Sequence, residues 1–174
     1  MFKGCSGLVA TPPLDAKDVG PYSYWGMFAD CKALSNAQFE LPATGLASAC
    51  YMDMFSGCTS LTGLPTLPAN NLAPSCYYSM FKNCAATETP LLPATKLADS
   101  CYEMMFINCA DLAIVHELPA TTLAQSCYEG MFAGCGQLRY AQSILPAKKL
   151  EKWCYKEMFA NCTRLHIAPK IAAT

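Results

Sequence analysis

Apolar and polar positions alternate along this chain in a block that recurs seven times. In the fourth block Cys76, Tyr77, Met80, Phe81 and Cys84 stand at i, i+1, i+4, i+5 and i+8. Between such residues the chain places mostly polar or small ones: Asp53, Ser56, Ser79, Lys82, Glu103, Glu129, Lys156 and Glu157. Apolar residues at that spacing share one broad helical face, so each block is expected to hold a two-turn helix. Just before the last cysteine of each block come Gly4, Asp30, Gly57, Asn83, Asn108, Gly134 and Asn161. These residue types enter the left-handed region at least cost, which assigns them to a helix C-terminal cap. Ser48, Ser75, Asp99 and Ser126 suit the N-cap. A helix this short does not survive alone in water, so packing between blocks has to hold it.

The blocks are repeats of near-constant length. Met-Phe-x-x-Cys begins at Met1, Met27, Met54, Met80, Met105, Met131 and Met158, in steps of 26, 27, 26, 25, 26 and 27 residues. A period of this size marks units that pack mainly on their neighbours. Leu-Pro-Ala recurs at Leu41, Leu67, Leu92, Leu118 and Leu145, with a degenerate Leu14-Asp15-Ala16 before them. From each of these leucines to the cysteine after Met-Phe the distance is always 17 residues. All length variation therefore lies between that cysteine and the next Leu-Pro. This variable arc, as in Leu61 to Leu67 or Leu112 to Leu118, is expected to form short parallel strands between repeats. Pro12, Pro13, Pro65, Pro90 and Pro169 fall inside it and remove ladder donors, so the strands should be brief or bulged.

Phe55, Cys58, Leu61 and Leu67-Pro68 follow the Phe-x-x-Cys-x-x-Leu…Leu-Pro order that characterises the BspA-like, Treponema-type leucine-rich repeat. The chain resembles that family over essentially its whole length, with Met54 where the family pattern has alanine. The resemblance implies an α/β repeat fold: a right-handed solenoid with short parallel strands on one side and short helices on the other. Residues 1–174 would form one such solenoid of about six and a half repeats, an excerpt of a longer array. It also implies a non-catalytic adhesion module of a bacterial cell-surface or secreted protein. The partner implied is a protein, such as one on the surface of a host or neighbouring cell. An architectural spacer presenting another domain is the first alternative, and a thiol or metal-binding protein the second.

Composition narrows this further. With 174 residues, a formal net charge of −1 and scattered lysines and arginines, there is no electrostatic case for nucleic acid or an anionic membrane. No apolar run approaches the ~18 residues needed to span a bilayer. Five Cys-x7-Cys pairs, Cys50/Cys58 through Cys154/Cys162, accompany Cys5 and Cys31. On a helix, eight residues rise about 12 Å, too far for a disulfide or for one tetrahedral zinc. Small buried hydrophobes, bonded at most to backbone groups, are the favoured reading of these thiols. Disulfides and metal binding remain the alternatives. His116 and His166 are the only histidines and lie in the variable arc with no triad partners. No catalytic residue, cofactor or metal site is assigned. What varies between repeats is free to contact a partner, and Gln38, Glu40, Thr66, Glu88 and Lys170 all belong to that set. The candidate binding residues are His116, Glu117, Arg139, Tyr140, Gln142 and His166.

Overall fold

The computed structural model describes residues 1–37 and 39–173. Gln38 and the last residue of the Ile171–Thr174 corner lie outside the described residues. Successive repeats stack, joined by backbone hydrogen bonds between residues 24 to 28 apart. The described residues contain no helix, and their named strands are only β1 (Ile144–Leu145) and β2 (Lys170–Ile171), paired in parallel. The expected α/β leucine-rich-repeat solenoid with short helices is therefore wrong. Elsewhere the expected strands shrink to single parallel bridges, such as Ala10 with Asn36, Asn36 with Gly63, and Gly45 with Asn71.

In place of each helix runs a ribbon of overlapping turns. Along residues 75–84, the N–H groups of Tyr78, Met80, Lys82 and Cys84 donate to the carbonyl three residues back. The intervening N–H groups, those of Ser75, Tyr77, Ser79, Phe81 and Asn83, donate to Asp99, Cys101, Glu103, Met105 and Ile107 of the next repeat. Every fourth residue takes a left-handed conformation, for example Ser75, Ser79 and Asn83 at φ of 55°, 51° and 57°. A type II turn needs such a residue at its third position, and the turns alternate between having one and lacking one. An α-helix spends all its N–H groups on itself. This ribbon gives half of them to its neighbour.

The helical reading failed because a period of 4.0 and a period of 3.6 diverge by only about 80° over eight residues. Both place the five apolar residues of a block on one face, and the structure does bury all five in the fourth block. The Gly/Asn/Asp position is left-handed throughout, from Gly4 at 75° to Asn161 at 58°, but it closes a turn rather than a helix. Ser75 and Ser126 are themselves left-handed, so they are not N-caps. At Gly57 and Gly134 a Cβ would meet Asp30 Oδ1 and Asn108 Oδ1 of the preceding repeat, and φ of 77° and 78° favours glycine there.

Stacking places like residues over like. Phe2, Phe28, Phe55, Phe81, Phe106, Phe132 and Phe159 form one continuous ladder of near-parallel rings, with centroids 5.4–5.9 Å apart. Tyr24, Tyr51, Tyr77, Tyr102, Tyr128 and Tyr155 form a second, at 5.6–5.9 Å. Offset stacking of this kind adds to area burial by about 0.5–1.5 kcal/mol per pair. With the leucine and methionine rows, these ladders make one core running through the stack.

Candidate functional site

The cysteines account for themselves structurally. Cys31, Cys58, Cys84, Cys109, Cys135 and Cys162 each donate Sγ–H to a phenylalanine carbonyl of the preceding repeat, at 3.0–3.3 Å. Phe28 O, for instance, accepts both Cys31 N–H and Cys58 Sγ–H, so both its lone pairs are used. All twelve thiols are free, and only Cys5 is exposed. Burial pushes the Cys50 thiol up to about 11 and those of Cys58, Cys76, Cys109 and Cys127 to about 12. Nucleophilic chemistry needs the thiolate, which these sites suppress. Among the described residues no set of three His, Cys, Asp or Glu side chains comes together in a way that could hold a metal ion.

The distinctive feature is on the variable arc. Its bridges join Ala10, Asn36 and Gly63, and again Glu40 with Thr66, so the first three repeats are paired there. Glu88 pairs with Ile114, Tyr140 with Ile167, and β1 with β2. Between these groups the pairing stops: no described backbone hydrogen bond crosses from 62–68 to 88–93, or from 113–119 to 140–146. The turn ribbons meanwhile remain bonded across both places. The repeats therefore stay stacked on one side and part on the other, and a groove opens at each parting. The first holds about 490 Å³ and the second about 680 Å³.

Proline and a change of length explain the first parting. Pro65 and Pro90 face each other across the first, and neither has an N–H to give. The arc before Leu92 is the shortest, so buried Thr89 and Ala86 replace the usual leucine. Across the second, Gln142 stands in for the missing ladder. Its Oε1 accepts Leu118 N–H at 2.5 Å, while Nε2 donates to Ile144 O at 2.7 Å and Leu118 O at 3.4 Å.

The residues assigned from sequence divide accordingly. Glu117, Tyr140 and Gln142 line the second groove, but Gln142 is occupied with backbone rather than exposed for a partner. His116 lines the first groove, its Nδ1–H donating to Thr89 O at 2.6 Å. Tyr140 is 64% exposed and its ring lies 5.9 Å from that of His166. Arg139 is exposed and lines neither groove. Sequence reasoning missed the apolar members of this face: Leu91, Ile114, Ile144 and Ile167, all 50–68% exposed. Ile114, Tyr140 and Ile144 surround the second groove, and Ile167 continues the row beside Tyr140. A signal existed, since the column Ala10, Asn36, Gly63, Glu88, Ile114, Tyr140, Ile167 mixes polar and apolar types, unlike the uniform core columns.

No helix among the described residues is long and apolar enough to cross a membrane. No protein-family model, curated protein or solved structure matches the chain.

Proposed function

We propose that this chain is a non-catalytic binding module that engages a protein partner through the exposed apolar row beside the second groove. One observation carries the reading. Ile114, Tyr140, Ile144 and Ile167 stand outward together in the last three repeats, whereas the same columns hold Ala10, Asn36, Gly63 and Thr66 at the other end. Contiguous exposed apolar surface rimmed by polar residues is the usual mark of an interaction site. The rim here is supplied by Glu88, Glu117, His166 and Lys170. The motif likeness to BspA-like surface proteins supports adhesion at a bacterial cell surface as the setting.

The test compares the protein with a Tyr140→Asp, Ile167→Asp variant for retention of coated beads on cell monolayers and immobilised matrix proteins. Retention is expected to fall by roughly tenfold or more, with the unfolding transition within about 0.5 kcal/mol of the parent because both side chains are exposed. Equal retention by the two proteins, or none by the parent, would instead favour a spacer.

A further inference from the structure

We infer that the first groove binds an extended peptide segment carrying an arginine or lysine beside an aliphatic residue. The inference stands apart from the apolar row, because it concerns a different groove with different chemistry.

The floor and walls are apolar: Leu64, Pro65, Pro90, Leu91 and Pro93. The charged groups of the groove are both carboxylates. Glu40 and Glu88 line it from opposite sides of the parting, both exposed, and neither is among the ion pairs of the described residues. His116 turns its Nδ1–H to Thr89 O, so that donor is already committed. Pro65, Pro68, Pro90 and Pro93 withhold four main-chain donors from the lining. No lysine or arginine lines the groove. An apolar cleft with two carboxylates and no cationic side chain complements a side chain that is cationic and all donor, which describes guanidinium and ammonium.

Shape supplies the rest of the specificity. The parting leaves the arcs 62–68 and 88–93 without mutual backbone bonds, so an extended chain entering there meets main chain on both sides. About 490 Å³ suits a few residues of such a chain and lies within the range of ligand clefts. The prolines and leucines offer the aliphatic flank an apolar surface beside the two carboxylates.

The probe is the blocked tripeptide acetyl-Leu-Arg-Leu-amide, with its citrulline counterpart as an uncharged isostere, titrated into the protein and followed by NMR. Shifts are expected at Leu64, Thr66, Thr89, Leu91 and His116, with the citrulline peptide bound about tenfold more weakly. A Glu40→Gln, Glu88→Gln variant should lose that difference while folding normally, since both side chains are exposed. The Tyr140→Asp, Ile167→Asp variant should bind the tripeptide as the parent does, which separates failure of this inference from failure of the apolar-row reading. Absent binding, equal binding of the two peptides, or shifts centred on Ile114 and Tyr140 would each overturn the assignment.

Discussion

At the scale of single residues, two buried hydroxyls stand out. Tyr51 Oη and Tyr102 Oη are buried and find no hydrogen-bond partner among the described residues. Their rings are needed by the aromatic ladder, but the oxygen is not. Leaving a polar atom desolvated and unpaired costs about 1–3 kcal/mol. Tyr51→Phe and Tyr102→Phe should each stabilise the protein by about 1 kcal/mol, read as a higher midpoint in urea at unchanged slope. Loss of stability in both would mean that the hydroxyls have partners after all. The cysteines show the opposite arrangement. Each second-position thiol has a defined carbonyl to meet, so cysteine there is a hydrogen-bonding residue as well as a small apolar one.

The characteristic element is the turn ribbon, whose left-handed residues are mostly not glycine. Asp53, Ser79, Met104 and Glu157 hold φ of 51–55° at the position that Gly26 and Gly130 occupy in two other repeats. A left-handed conformation costs a non-glycine residue roughly 1–2 kcal/mol, and a β-branched one more. The ribbon tolerates this because alternate peptide groups, N–H or (in the last ribbon) C=O, are fixed to a neighbour, which leaves the chain no cheaper path. Glu157 is exposed, so it tests the backbone without disturbing the core. Glu157→Gly should stabilise by a few tenths of a kcal/mol up to about 1, the gain limited by glycine's greater unfolded-state freedom. Glu157→Val should destabilise by about 1–2 kcal/mol. Were the segment a helix in solution, the order of these two variants in thermal unfolding would reverse.

For the molecule as a whole, stacked burial couples many thiols to one folding equilibrium. The raised thiols resist ionisation in the folded chain but ionise freely once it unfolds. Their contribution to stability is thus complete below the ordinary thiol value of 9.0 and lost as pH rises towards about 12. Cys76 alone, displaced from 9.0 to about 12, represents roughly 4 kcal/mol over that window. Several such groups together exceed the usual net stability of a domain. Cooperative unfolding is therefore expected between about pH 9 and 11. Iodoacetamide labelling followed by intact mass should find Cys5 alone reactive at pH 8 and all twelve thiols above the transition. Gradual labelling of single buried cysteines without unfolding would show that the repeats open independently.

The length of the repeat, the identity of the buried columns and the position of the variable arc were all legible in the order of residues. Burial depends on side-chain chemistry repeated at fixed spacing, and the Met54, Phe55, Cys58 and Leu61 columns carry that openly. The left-handed positions before the last cysteine were legible for the same reason, since glycine, asparagine and aspartate mark them. Whether the intervening segment is a helix or a turn ribbon was not legible, because eight residues are too few to separate periods of 3.6 and 4.0. Gly26 and Gly130 inside the presumed helices were the one local hint, glycine being about 1 kcal/mol worse than alanine there. The candidate sites were half visible. Sequence placed Glu88, His116, Glu117 and Tyr140 on the right arc, but apolar Leu91, Ile114 and Ile167 were not among the residues it singled out. The tertiary structure decided where the ladder parts, because that depends on which donors meet which acceptors across 25 to 27 residues. Pro65, Pro90 and the short arc before Leu92 stand in the sequence, but the second parting, bridged by Gln142, exists only once the repeats are stacked.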